Sequence, residues 1–258
     1  MRRPSSPVVA ITGSGAGIGQ GCALAFARAG YRVVINDIDP AGGRDTGKRI
    51  RAARGKSVFI HADISTDRGA RTLVEGAVAA FGRLDALVNN AGVDISGAVD
   101  RIAESDWDKV FSVDVKGIFL CSRHAIPVMK RQKAGVIVNI ASVHSRATVP
   151  GRAAYAGAKS AVIGITQAMG LELAKTGIRV VALCPGFTQT EILERYLRMA
   201  RDPEKLRARW LALQPMGRFA GAEEIGGIAV FLASKAAGIM TACSVIADGG
   251  LTARLYQD

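Results

Sequence analysis

The feature that most constrains the fold is a repeated switch between two hydrophobic periods. Short apolar runs rich in β-branched residues recur at Val8–Ile11, Arg32–Asn36, Ser57–His61, Ala86–Asn89, Val136–Ile140, Arg179–Leu183 and Ser244–Ala247. Between them, apolar residues fall at helical spacing over Gly17–Ala29, Ala41–Ala53, Asp67–Phe81, Trp107–Arg131, Ala154–Lys175 and Glu223–Ala233. Several of the short runs are continuously apolar, as strands are when helices cover both of their faces. Strand and helix alternating in this way predict a parallel sheet joined by right-handed crossovers. No repeat and no Pro- or Gly-rich linker marks a second unit. The reading is therefore one doubly wound α/β domain over residues 1–258, with a seven-stranded parallel sheet.

One segment breaks the alternation. Thr190 to Leu213 carries Ile192, Leu193, Tyr196, Leu197, Leu206, Trp210 and Leu211 among many charges, with Pro203 in the middle. This predicts two short amphipathic helices inserted after the sixth strand, within a lid of about residues 187–217. Open α/β sheets bind ligands beyond the C-terminal ends of their strands, so an insertion there is placed to cover a substrate.

Residues 8–19 read VVAITGSGAGIG: a strand, a turn holding four glycines, then a helix. Ile18 stands where the third glycine of GxGxxG would be, and the pattern that fits is TGxxxGxG through Thr12, Gly13, Gly17 and Gly19. Gly13 allows a tight turn off the strand, Gly17 lets backbone approach a pyrophosphate, and Gly19 permits close helix–strand packing. The helix N-terminus then offers free N–H groups to phosphate oxygens. Asp37 ends the second strand eighteen residues after Gly19. An acid there accepts hydrogen bonds from adenosine ribose hydroxyls and repels a 2′-phosphate, which favours NAD over NADP. Neither Ser14 nor Ile38 supplies a positive charge for a 2′-phosphate, and Arg44 lies well into the next helix. Together these describe a Rossmann-type dinucleotide-binding domain.

Nicotinamide chemistry on an alcohol or ketone needs a group that exchanges the hydroxyl proton while hydride moves. Tyr155 and Lys159 are four residues apart on a helix, hence on one face. A nearby ammonium favours the phenolate and brings a phenol toward neutral pH. The same lysine reaches the ribose of a bound nucleotide. Ser142, just past a strand ending Val138-Asn139-Ile140, is placed to hydrogen-bond the substrate oxygen.

These pieces occur together and in order. TGxxxGIG at 12–19 is followed by Asn89-Asn90-Ala91-Gly92, by Ser142 thirteen residues before Tyr155, by Pro185-Gly186, and by Ala247-Asp248-Gly249-Gly250. From Val8 to about Gly250 the chain resembles the short-chain dehydrogenase/reductase family. The resemblance implies that Tyr155 is the acid/base, that Lys159 orients the ribose and lowers the tyrosine pKa, and that Ser142 positions the carbonyl. Gly13, Gly17, Ile18 and Gly19 are expected among the cofactor-binding residues, and the resemblance assigns Asp63 and Ile64 to the adenine ring and Asn90 to central cofactor contacts. The Thr188 backbone and Thr190 would hold the carboxamide, with Pro185 among the cofactor-binding residues. It also implies a homotetramer formed through the two long helices, 107–131 and 154–175.

The chain departs from the family at one position. In Phe111-Ser112-Val113-Asp114-Val115-Lys116-Gly117, Asp114 stands where an asparagine usually links the lysine to solvent through a water. A carboxylate still accepts a hydrogen bond from that water, but its charge partly offsets the pull of Lys159 on Tyr155 and moves the activity optimum upward in pH. For the substrate, His144, Arg146 and Arg152 lie between Ser142 and Tyr155 on the loop that borders the pocket. A cationic pair there suits the carboxylate of a hydroxy acid. Asp94 instead suits the hydroxyls of a sugar or polyol. The alternatives to an NAD-dependent alcohol dehydrogenase are a 3-oxoacyl-carrier-protein-type reductase and a non-catalytic NAD-sensing protein.

Composition excludes other classes. The net charge of +12 raises nucleic acid as a partner, but the densest basic groups, Lys48–Arg54 and Arg195–Arg209, alternate with apolar residues as solvated helix faces do. The sequence predicts no nucleic-acid role and a field mildly favourable to anionic ligands. No apolar run approaches a membrane span, and the run after Arg2 and Arg3 enters the glycine cluster too soon for an export signal, so a cytoplasmic enzyme is expected. The four cysteines form no CxxC pair and read as buried reduced thiols, and the three histidines lack metal-ligand spacing.

Overall fold

The computed structural model describes residues 6–254; Arg2 and Arg3 lie outside them. Seven parallel strands form one sheet: β1 (Val8–Ile11), β2 (Arg32–Asp37), β3 (Ser57–His61), β4 (Ala86–Asn89), β5 (Gly135–Ile140), β6 (Ile178–Pro185) and β9 (Cys243–Ala247). Their order is β3-β2-β1-β4-β5-β6-β9. The chain builds outward from β1 to β3, then returns to place β4 on the other side of β1. This reversal opens a crevice at the C-terminal ends of β1 and β4, where open α/β sheets bind ligands.

Successive residues of each strand point to opposite faces, so the apolar runs feed two cores. Val8 and Ala10 pack with α3 (Asp67–Phe81), α5 (Gly117–Gln132) and the end of α6 (Ala153–Leu173), through Leu73, Leu120, Met129 and Leu173. Val9 and Ile11 pack with α1 (Gly17–Arg28), α2 (Pro40–Ala52) and α9 (Ala222–Ala233), through Phe26, Ile50 and Ile225. Both faces of the sheet are covered, which is why these strands tolerate no polar alternation.

The helix expected over 107–131 is three pieces. Helix α4 (Glu104–Phe111) runs into a π-helical turn at Ser112–Lys116, and α5 continues from Gly117. The Gly117 N–H bonds to the Ser112 carbonyl, five residues back, so one extra residue is accommodated in this turn. Asp114 sits at its centre. The insertion after β6 forms two helices as expected, α7 (Glu191–Met199) and α8 (Pro203–Ala212). Leu193 and Leu197 bury against Phe187, Leu206, Trp210 and Phe219, and Arg207 grips both oxygens of Glu194 at 2.7 and 2.8 Å. A two-stranded pairing of β7 (Thr188–Gln189) with β8 (Ala220–Gly221) closes the base of this insertion and was not legible in the sequence.

Cys22, Cys121 and Cys184 are buried free thiols, while Cys243 is only half-buried. Burial pushes the Cys22 and Cys121 thiols up to about 12, which removes them as nucleophiles at neutral pH. No helix among the described residues is long and apolar enough to cross a membrane.

Candidate active site

The crevice is stitched together by Thr12 and Asn90. The Asn90 and Ala91 N–H groups donate to Thr12 Oγ1 at 2.9 and 3.0 Å. Asn90 Nδ2 donates back to the Thr12 and Gly13 carbonyls at 3.0 and 2.9 Å. The Asn90 amide, assigned by resemblance to the cofactor, is thus engaged in bracing the glycine turn. Gly13 and Gly17 adopt φ of +60° and +55°, conformations that favour glycine. A Cβ on Gly19 would lie 2.1 Å from the Gly13 carbonyl oxygen, so Gly19 lets the turn close on itself rather than letting helix approach strand.

The start of α1 has no side-chain cap and no acid in its first turn. Its N–H groups and dipole therefore remain available to an anion. A cavity of about 420 Å³ opens there, lined by Gly15, Gly17, Gln20, Arg49 and Thr190 among others. Beside the glycine turn Asp37 accepts from Gly15 N at 2.7 Å and from Asp39 N at 2.9 Å, one donor to each oxygen. A carboxylate has about four acceptor sites, so both oxygens keep capacity for ribose hydroxyls. A Cβ on Gly15 would come within 2.7 Å of Asp37 Oδ2. Sequence reasoning passed over Gly15, although its place inside the glycine cluster was the available signal.

The remaining cofactor candidates are spread around the same edge. Asp63 turns its carboxylate onto Ser65 N and Oγ at 2.9 and 2.7 Å, and Ile64 is buried against Gly117. Ile18 is half-buried and packs on the core under α1. Pro185 ends β6, Thr188 Oγ1 donates to the Gly186 carbonyl at 3.2 Å, and Thr190 caps α7 with its Cβ 3.6 Å from where a Gly17 Cβ would stand. The insertion after β6 therefore begins directly over the glycine turn.

Ser142, Tyr155, Lys159 and Asp114 converge beyond β5. Ser142 follows the strand and caps a short turn, its Oγ accepting from His144 N at 3.2 Å while its own O–H stays free to rotate. Lys159 Nζ donates to the Ile140 carbonyl at 3.2 Å and lies 5.5 Å from the Tyr155 ring centre. Its ammonium also lies 3.0 Å from Asp114 Oδ2, an ion pair too oblique to count as a hydrogen bond. The other oxygen of Asp114 accepts from Val93 N at 2.8 Å. Burial works against the Lys159 ammonium, but the charges of Asp114 and Tyr155 outweigh it and hold its pKa above the ordinary lysine value. Asp114 thus meets the lysine directly, without the intervening water expected from the sequence. The π-helical turn aims it inward. Gly92 leaves the room, since a Cβ there would lie 2.8 Å from Asp114 Oδ2 and 3.3 Å from Lys159 Nζ.

The expected cationic pair on the pocket loop is not present as free charge. His144 sets its ring edge-on to Tyr155 at 5.6 Å, and its Nδ1 lies 2.9 Å from Thr148 Oγ1. Burial lowers its pKa below the usual imidazole value, so it is neutral at pH 7. Arg152 is ion-paired with Asp94, and Arg146 reaches away to Ser244 Oγ at 3.4 Å. Tyr196 of α7 joins the Arg152–Asp94 pair from the lid, a contact for which its place on an amphipathic helix gave no signal.

Comparison with known proteins agrees with this arrangement. Residues 13–252 match a family model described as enoyl-(acyl carrier protein) reductase. The chain is 41% identical over 246 residues to an uncharacterized oxidoreductase of Thermotoga maritima, covering 95% of this chain and 97% of that protein. It is 36% identical over 249 residues to a 3-oxoacyl-[acyl-carrier-protein] reductase of the same organism, covering 96% and 99%. The crystal structure of levodione reductase superposes with a TM-score of 0.94 at 29% identity, over 98% of this chain and all of that one. The parallel sheet, the glycine turn at the switch point and the serine–tyrosine–lysine cluster therefore have one source: the chain belongs to the short-chain dehydrogenase/reductase family of oxidoreductases.

Proposed function

We propose that the protein is an NAD-dependent dehydrogenase that interconverts a secondary alcohol and a ketone. The observation that carries the cofactor choice is Asp37. Its carboxylate closes the adenosine end of the crevice, and Ile38 beside it is 67% exposed and offers no charge to a 2′-phosphate. The uncapped start of α1 and the left-handed glycines beside it fit a pyrophosphate. When bound, the nicotinamide ring supplies or accepts the hydride. Tyr155 Oη gives or takes the alcohol proton, Ser142 Oγ hydrogen-bonds the same substrate oxygen, and Lys159 keeps positive charge beside the phenol. Thr188 and Thr190 hold the carboxamide end from the lid, and Asp63 and Ile64 border the adenine. The enzyme acts in the cytoplasm as a homotetramer packed through α5 and α6, whose outward Phe119 and Leu171 are 51% and 74% exposed.

A panel of secondary alcohols assayed with NAD and NADP in parallel tests this reading. The expected result is turnover with NAD at a kcat/KM about a hundredfold above that with NADP, lost in Asp37→Ala. Equal use of both cofactors removes the NAD assignment, and cofactor binding without turnover on any alcohol or ketone leaves a sensor. A second reading, reduction of a 3-oxoacyl carrier thioester, is favoured by the two matches to acyl-carrier reductases and by the charge of +12. Activity on the thioester exceeding that on free ketones selects it.

Asp114 sets the working pH in this scheme. Asp114→Asn removes the negative charge that offsets the Lys159 ammonium beside the Tyr155 phenol. The rising limb of the alcohol-oxidation profile then moves to lower pH by about one unit. Burial then meets less opposing charge at Lys159, so activity is lost sooner on the alkaline side. A pH–kcat profile of the two proteins checks this; superimposable profiles remove the electrostatic role of Asp114.

A further inference from the structure

The loop after β4, the start of α6 and the lid helix α7 meet at a polar cluster that neither proton exchange nor nucleotide binding uses. Asp94 and Arg152 form an ion pair, and each side chain is 17% exposed. Tyr196 lies against the guanidinium of Arg152, 5.0 Å from ring centre to Cζ. Its hydroxyl is 3.3 Å from Arg152 Nη1, 3.3 Å from Ser96 Oγ and 3.5 Å from the Asp94 carbonyl. Gly97 N donates to the Gly151 carbonyl at 2.9 Å and fixes the loop against the helix start. Arg152 is the N-cap of α6, three residues before Tyr155, and Asp94 directly follows Val93, whose N–H donates to Asp114, so the pair borders the catalytic cluster.

We infer that the Asp94–Arg152 pair, closed over by Tyr196, selects a neutral substrate carrying a second hydroxyl and rejects the corresponding hydroxy acid. This rests on the alcohol–ketone reading above and names its substrate class. The guanidinium already has its counter-charge. An entering carboxylate meets the like charge of Asp94 in a partly desolvated site, or must displace Asp94 and leave it unpaired. A hydroxyl both donates and accepts, so it can give its hydrogen to Asp94 while taking one from Arg152 and leave the pair intact. The other basic residues of the loop do not reverse this balance, since the neutral His144 contacts Thr148 and Tyr155 and Arg146 reaches Ser244.

The test uses a pair of probes that differ only at the remote group, butane-1,3-diol and 3-hydroxybutyrate, with the full-length enzyme and NAD. The wild type is expected to show a kcat/KM at least about tenfold higher for the diol. Asp94→Asn frees Arg152 for the carboxylate and shifts the diol-to-acid ratio toward the acid by about tenfold or more. Arg152→Gln leaves Asp94 uncompensated, so the acid gains nothing while the diol weakens. A wild-type preference for the acid, or a ratio in Asp94→Asn within about twofold of the wild type, overturns the inference. Should neither probe be turned over, the alcohol–ketone reading fails, and dissociation constants of 4-hydroxy-2-butanone and acetoacetate from the NADH complex still decide this one. Tighter binding of the hydroxyketone, reversed or levelled in Asp94→Asn, supports it; tighter binding of acetoacetate, or binding of neither, overturns it.

Discussion

In Tyr155→Phe, kcat is expected to fall about a thousandfold in both directions of the reaction, while the affinity for NADH stays within about twofold. The substitution deletes one oxygen and keeps the ring, so its contacts with the His144 edge and with Lys159 above it survive. What disappears is the only hydroxyl of this cluster that has a lysine ammonium beside it. Ser142 does not take over, because its Oγ accepts from a neutral backbone donor, His144 N, rather than lying beside the ammonium. Steady-state kinetics combined with NADH fluorescence titration separate the two quantities. A fall of less than about tenfold would move the proton exchange to another group, and a parallel loss of NADH affinity would make Tyr155 a binding residue.

Lys159→Ala is expected to damage both catalysis and the fold, and a second substitution separates the two effects. With the ammonium gone, Asp114 becomes a fully buried carboxylate whose one remaining partner among the described residues is Val93 N. Breaking a buried ion pair from one side costs about 3 kcal/mol, which lowers Tm by roughly 10 °C in a chain of this size. Adding Asp114→Asn removes the stranded charge, so the double variant recovers most of the lost Tm but none of the activity. Thermal unfolding of the wild type, both single variants and the double variant completes the cycle. If the double variant is no more stable than Lys159→Ala, the pair contributes nothing to the fold.

Much of the nucleotide-binding half was legible because its signals are local. A strand that is apolar at every position, a turn needing left-handed glycines and an acid at the next strand end are each properties of a few consecutive residues. The positions of Gly13, Gly17 and Asp37 follow from them. Ser142, Tyr155 and Lys159 are legible for a related reason, since one strand end and one helix face carry all three. The substrate side was read less well. His144 and Arg152 were expected to act as cations, yet one is neutral through burial and the other is held by Asp94. Asn90 has the expected location but braces the turn with its amide.

The sequence by itself determined the parallel sheet, the crevice at its switch point, the two helices inserted after β6 and the positions of Ser142, Tyr155 and Lys159 in one cluster. Hydrophobic period and glycine placement report how each element faces the core, and they do so residue by residue. Only the tertiary structure decided that Asp114 meets Lys159 directly, that Gly92 makes room for them, and that Tyr196 of the lid reaches the Asp94–Arg152 pair. These contacts join residues from different crossovers, so their existence depends on how helices settle on the sheet. A single π-helical turn illustrates the point: it fits one extra residue into a helix whose sequence shows no break, and so aims one carboxylate at one ammonium.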